Sequence, residues 1–271
     1  MTAHGLIISK AGRIPKGSFF GEIHFSCYNQ NMVDNHTPLL AVPGFRKGRI
    51  LERINRFVVL VEENKHERRA HINNTGRLEE FLVHGREAYL ITAKAGGKTD
   101  LRLFAVKDRS LAALFDTRLQ MQSFEKALAW NLLFWASGCR MIRRNPKLGD
   151  SLMDYLLDCP DGEVYLEIKS AVLRQGKYAT YPDCPTLRGQ RHIRELTRHS
   201  RSGGQATILF VGALPSVTGF KPCRSGDPEI PPLLRKARRE GVGIRAIGLH
   251  FNPKTGFVEM YDGDLPVRLE D

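Results

Sequence analysis

Apolar and polar positions alternate in two textures along the chain, and the textures divide it. Between 56 and 107 the runs RFVVLVEE (56–63), ERRAHINN (67–74), EAYLITAKA (87–95) and DLRLFAVK (100–107) are short, rich in β-branched residues and broken by NNTG (73–76) and AGGK (95–98). Such a series of short strands predicts a small barrel or sandwich, of which an OB-like barrel is one solution. The stretch GRLEEFLVHG, between two of these strands, predicts a short helix. Residues 1–46 carry no period and read as an irregular N-terminal extension. Past 110–120 the periods lengthen. SFEKALAWNLLFWAS (123–137) predicts a buried helix with Ser123 as its cap and Glu125 in its first turn, where the helix dipole favours a carboxylate. On that reading Trp130 and Trp135 belong to the core, as do Phe57 and Phe81 in the barrel. SLMDYLLD (151–158) and EVYLEIKS (163–170) read as strands, TLRGQRHIRELTRHS (186–200) as a helix, ATILFVGAL (206–214) as a strand buried on both faces, PPLLRKARREG (231–241) as a short helix and GIRAIGLHF (243–251) as a closing strand. Helices alternating with buried strands make an α/β domain. The expected organisation is an extension (1–46), an OB-like domain (47–115) and an α/β domain (116–271).

Charge narrows the functional classes. Lys and Arg outnumber Asp and Glu by 41 to 29, a net +12, which attracts polyanions, nucleic acid foremost. The five cysteines are scattered without a C-x-x-C pair, which argues against a zinc ribbon and fits free thiols in a reducing cytoplasm. The first twenty residues lack the pattern of a signal peptide. The longest apolar stretch, ALAWNLLFWA (127–136), is too short for a bilayer span, so a cytoplasmic protein without membrane contact is expected.

The chemistry concentrates in DGEVYLEIKS (161–170) and the strand before it. Asp161-Gly162 signals a two-residue hairpin turn. That turn sets Leu156 opposite Glu167 and Asp154 opposite Lys169, so Asp154, Glu167 and Lys169 project to one side. Met153, Tyr155, Leu157, Val164, Leu166 and Ile168 project to the other, the core side. Two neighbouring carboxylates repel, and a hard divalent cation relieves the repulsion. Mg²⁺ or Mn²⁺ on Asp154 and Glu167, with Lys169 to orient water or stabilise phosphate charge, is the D…(D/E)-x-K arrangement of restriction-endonuclease-like nucleases. The competing reading is an amphipathic hairpin with a Lys–Asp cross-strand pair, since E-x-K is common.

Four blocks resemble the sugar fermentation stimulation protein (SfsA) family: GRILERINRFVVLVE (48–62), HINNTGRLEEFL (71–82), DSLMDYLLD with YLEIKSAVL (150–158, 165–173), and YPDCPTLRGQRHIREL (181–196). The resemblance implies an OB-like N-terminal domain, a nuclease-like C-terminal α/β domain of the PD-(D/E)xK type, and DNA binding with little sequence preference. It carries the nuclease-like motif onto Asp154, Glu167 and Lys169, and a supporting set onto Asp183, Thr186, Arg188, Gly189, His192 and Glu195. The sequence departs from the family pattern at Asn145, where a Glu is usual, at Leu152, where an Arg is usual, and at Met121, aligned with an Asn. These departures bear on catalysis more than on binding. They keep open a non-catalytic, largely non-specific DNA-binding regulator of carbohydrate genes, and an RNA-processing role is a weaker third reading. Glu125 is a candidate replacement carboxylate.

Basic positions complete the expectation. Arg191, Arg194, Arg198 and Arg201 recur at helical spacing and form a stripe suited to a phosphate backbone, which Arg140, Arg143, Arg144 and Lys147 could extend. In the barrel Arg49, Arg53, Arg56 and Arg77 supply charge, while His71 and Asn74 shape a turn near the interdomain cleft.

Overall fold

A computed structural model describes residues 36–93 and 99–270. The AGGK turn, Cys27 and most of the 1–46 stretch lie outside them. Within that stretch one strand is described, β1 (Thr37–Ala41). It pairs antiparallel with the last strand of the chain.

The period-two texture folds into a closed five-stranded barrel. Its strands are β2 (Arg46–Asn55), β3 (Val58–Glu63), β4 (His66–His71), β5 (Glu87–Thr92) and β6 (Leu101–Asp108). They close in the order β2–β3–β4–β6–β5–β2, with β4–β6 the one parallel pair. The inward half of each alternation fills the interior: Ile50, Val59, Val61, Ala70, Leu90 and Leu103 are fully buried. Two bulges in β2 let a single strand turn between β3 and β5, the device by which a short sheet curls shut. GRLEEFLVHG forms turns, not the expected helix, because Leu78 takes positive φ and Leu78 and Phe81 are drawn into the core. Phe57 is 48% exposed and stacks on His71, so it is not the core residue expected, whereas Phe81 is.

Strand β7 (Leu111–Leu114) leaves the barrel and runs into the α/β sheet. Helix α1 (Thr117–Ala129) follows. It begins six residues before the position expected, because Asp116, and not Ser123, accepts from Arg118 N and Leu119 N as its cap. Ser123 is interior and donates to Leu119 O. The helix ends at Trp130, which is 46% exposed, and Trp135 sits in a following turn half-buried, its Nε1 donating to Gly263 O. Trp130 is not the core residue expected, because the apolar run continues past the helix onto the surface, whereas Trp135 packs against the core from its edge.

Strands β8 (Arg140–Arg144), β9 (Lys147–Leu148), β10 (Ser151–Leu152), β11 (Tyr155–Cys159), β12 (Gly162–Ala171), β13 (Leu173–Gln175) and β14 (Tyr178–Tyr181) lead to helix α2 (Leu187–Arg201). Then come β15 (Gln205–Gly212), β16 (Phe220–Pro222), helix α3 (Ile230–Arg239), β17 (Gly243–Asn252) and β18 (Phe257–Asp262). The sheet runs β8–β11–β12–β15–β17, with β12, β15 and β17 parallel. Each parallel step crosses over through a helix, as parallel strands require. β15 sits in the middle, its run Ile208–Val211 fully buried. The strand expected to close the sheet, β17, is followed by β18, which pairs with it and with β1.

SLMDYLLD is not one strand but two, interrupted at Met153 and Asp154. The β11–β12 turn is Pro160-Asp161, with Cys159 opposite Gly162, so the register is displaced two residues from the one expected. A shift of two preserves faces, and the division into a charged and an apolar side survives it. Cys139 and Cys159 are joined by a disulfide, against the expectation of free thiols. The bridge ties the approach to β8 to the end of β11. Those neighbours are adjacent only through antiparallel pairing, which cysteine spacing does not reveal. Cys184 and Cys223 are free.

Candidate active site

Glu167 and Lys169 stand two apart on β12 and share the face that α2 covers; Leu166 and Ile168 turn to the α1 side. Asp154 lies in the break before β11. Extension of the β11–β12 register places it beside Glu167 rather than opposite Lys169. Its Oδ2 accepts from Ile168 N at 2.7 Å, so the interruption of the strand frees its carboxylate to cap the neighbouring backbone.

From above, α2 brings His192 and Arg188. The helix is fixed by Thr186, whose Oγ1 accepts from Gly189 N, and by Asp227, which accepts from Thr186 N and from Gln190. Gly189 is required by proximity: a Cβ there would meet Tyr181 Oη at 2.6 Å. This close approach seats the first turn of α2 over the carboxylates.

His192 Nδ1 donates to Glu167 Oε1 at 2.5 Å, and its Nε2 accepts from Arg188 Nε at 3.4 Å. Lys169 Nζ bonds the same Glu167 oxygen and stands 3.4 Å from His192 Nδ1. Glu167 is 3% exposed, and its second oxygen, Oε2, is buried without a hydrogen-bond partner among the described residues. Burial pushes the Glu167 carboxyl up, but the Lys169 ammonium and the His192 bond outweigh it and hold the group below its ordinary value. Burial likewise works against the Lys169 charge, and Glu167 overcomes it, so the ammonium is retained. Asp154 lacks an equal partner. Burial, then the Glu167 charge, pushes its carboxyl up to about 6.

The other expected residues divide. Arg188 belongs to the cluster. Arg191 is exposed and reaches Ser151 Oγ in β10. Arg194, Arg198 and Arg201 turn away to line a groove between α2 and α3 with Lys236, and Arg198 and Arg201 are paired with Glu195 and Glu240. Arg53 is spent on structure: its guanidinium donates to the carbonyls of Asn55, Arg56, Gly76 and Arg77. Arg49 donates to Gly85 O, and Arg77 is exposed. Glu125 falls near the end of α1, not in its first turn. It accepts from Tyr155 Oη and pairs with Arg144 on the face away from Glu167, so it is not brought to the cluster.

Two sequence blocks meet at the barrel's junction with the α/β sheet. Asn74 donates to Ser170 Oγ, one residue past Lys169, and Asp183 Oδ2 accepts from Leu78 N. Gly76 permits this contact, because a Cβ would come within 2.6 Å of Asp183. A cleft of about 230 Å³ opens here, lined in part by Arg56, Asn74, Ser170, Tyr181, Asp183 and Thr186. Residue-by-residue reading missed Tyr181, whose hydroxyl burial pushes up. Its one signal was a place at the head of the YPDCPTLRG block.

Comparison with known proteins agrees with this architecture. Residues 118–255 match the sugar fermentation stimulation protein RE domain, and residues 51–114 match the SfsA N-terminal OB domain. A sugar fermentation stimulation protein homolog of Pyrococcus furiosus is 51% identical over 219 residues, covering 81% of this chain and 94% of that protein. The homolog of Archaeoglobus fulgidus is 44% identical over 222 residues, with the same coverage. The solved structure of Pyrococcus furiosus SfsA in complex with Ca²⁺ superposes with a TM-score of 0.82 at 47% identity, covering 86% of this chain and 99% of that one. With an OB barrel joined to an α/β nuclease-like domain, this chain belongs to the SfsA family.

Proposed function

We propose that the protein is a divalent-metal-dependent nuclease acting on DNA. Asp154 and Glu167 hold the cation, Mg²⁺ or Mn²⁺, and Lys169 serves the phosphate. The observation that carries this reading is Glu167 Oε2. A carboxylate oxygen buried without a donor is costly, and the same Glu167 charge acts on a second buried carboxyl, Asp154. All-oxygen donors of this kind suit a hard cation. The Ca²⁺ complex of the Pyrococcus relative is in keeping with that class.

A cation bound there would polarise the phosphodiester and lower the pKa of a bound water. The chain's own groups then divide the work. His192 and Lys169 pin Glu167 Oε1, which leaves Oε2 as the oxygen presented to the ion. Because Glu167 keeps Lys169 charged, the ammonium acts as a donor to a non-bridging phosphate oxygen and orients water, not as a free-base acceptor. Arg188, held against His192, adds positive charge over the same pocket. The outer arginines of α2 and the basic surface supply backbone affinity without base readout.

The test uses the purified full chain with labelled single- and double-stranded DNA and RNA, in Mg²⁺, in Mn²⁺ and in chelator, beside Glu167→Gln. Metal-dependent cleavage of DNA, abolished in the variant while DNA affinity is retained, is the expected outcome. Binding without cutting under every condition would replace the nuclease with a non-catalytic DNA binder. Preferential cutting of RNA would move the substrate class.

A further inference from the structure

Away from the carboxylate–lysine cluster, His36, His250 and Glu259 converge at the β17–β18 hairpin. One ligand-type atom from each lies within 4.8 Å of the others. His250 is fully buried and Glu259 is 6% exposed. His250 Nε2 stands 3.1 Å and His36 Nδ1 3.6 Å from the same oxygen, Glu259 Oε2. We propose that these three residues form a second metal site, of the transition-metal class and best suited to Zn²⁺, which joins the segment entering β1 to the β17–β18 hairpin.

Three observations support it. The first is geometry. Ligands at zinc bond lengths of about 2.0–2.1 Å in a tetrahedron lie about 3.3 Å apart. The two separations to Glu259 bracket that value, and the third, between the imidazoles, is within 4.8 Å, so the histidines would close on the ion as it binds and a water would complete the shell.

The second is charge. Glu259 is a buried carboxylate with which no Lys or Arg pairs among the described residues. Its other partners are neutral donors: Asn252 Nδ2 and Thr255 Oγ1 on Oε1, with Asn252 also reaching Oε2. They orient the carboxylate as outer groups orient a metal ligand, but they do not balance its charge. A divalent cation would.

The third is the burial of His250. Its Nδ1 has no hydrogen-bond partner among the described residues, and its ring stacks on Tyr261. The ring therefore meets the cluster through Nε2 alone, the nitrogen that faces Glu259. Two imidazoles with one carboxylate select Zn²⁺ over Mg²⁺ or Ca²⁺, which take oxygen donors. The site therefore differs in ion class from the Asp154–Glu167 cluster and does not depend on the nuclease reading.

The test uses the untagged full chain, stripped with chelator and titrated with Zn²⁺ alone by calorimetry, with Co²⁺ absorption reporting coordination. His36→Ala is the principal variant, because His36 is the least buried of the three and its loss spares the core. Asp154→Asn separates this site from the other. The expected result is one equivalent of Zn²⁺ that persists in Asp154→Asn, with its Kd raised about tenfold or more in His36→Ala. Tetrahedral Co²⁺ bands should appear in the wild type and fade in His36→Ala. Absence of Zn²⁺ binding, binding unaltered in His36→Ala, or binding lost in Asp154→Asn would each overturn the proposal.

Discussion

Asp154 shows how one residue can be set against its own charge. Its carboxyl rises from an ordinary 3.8 to about 6 because it is buried and faces Glu167, whereas Lys169 and His192 are both committed to Glu167. A carboxyl raised in the folded state binds its proton more tightly than in the unfolded chain. Without metal, stability therefore falls as pH rises from about 4 to about 6, then stays level, and a rise of that size corresponds to about 3 kcal/mol. Asp154→Asn keeps an oxygen for Ile168 N and removes the charge. In chelator it should raise the melting temperature at pH 7.5, with the gain shrinking as pH falls through 6 and gone near 4. An equal gain at both ends of that range would refute the coupling. The sequence told much of this cluster, since the two-residue period alone aligned Glu167 with Lys169. It did not tell that Asp154 sits in a break between strands, because β-period arguments assume that strands continue. Nor could it tell from spacing that His192, on a helix, would close on Glu167.

Elements were legible where one period ran unbroken. β15 and α2 emerged within a residue or two of the expected spans, because the first carries the apolar run Ile208–Val211 and the second a Thr cap and a regular inner face. α1 was displaced because its outer half is polar and the apolar signal lay late, around residues that turned out to be the exposed exit of the helix. Its true start is Asp116, which is fully buried and serves several elements at once. It caps α1, accepts from Asn73 Nδ2 of the barrel and faces Arg102 of β6. Arg102 Nε is 2.7 Å from Asp116 Oδ2 but off the line of a hydrogen bond, so that attraction is chiefly ionic. Asp116→Ala removes the cap and leaves Arg102 without its counter-charge, which should cost about 3–5 kcal/mol in urea unfolding. Asp116→Asn, which retains the capping oxygen, should cost less. An Ala variant within about 1 kcal/mol of wild type would mean that the junction does not hold α1 as described.

At the scale of the molecule, the described residues belong to one compact unit in which barrel and α/β sheet share β7 and lock through Asn74, Asp183 and Arg174, which donates its backbone N–H to Glu80. Net charge was legible in the sequence; its distribution was not, because helical spacing made a stripe of four arginines that the packing of α3 divides. Arg191 reaches Ser151 of β10, while Arg194, Arg198 and Arg201 meet Lys236 in the α2–α3 groove. If that groove tracks the phosphate backbone, DNA affinity should fall steeply with salt, by about three decades between 50 and 200 mM for some six phosphate contacts. Changing Arg194, Arg198, Arg201 and Lys236 together to Ala should flatten the slope of log K against log salt. Because Glu195 and Glu240 already compensate two of the four, the slope should change by nearer about 2 than 4. A slope unaltered by the quadruple change would place the DNA elsewhere. The exposed arginines of β8 are the alternative track, although Arg140 and Arg144 are held by Asp158 and Glu125 and would have to exchange those partners for phosphate.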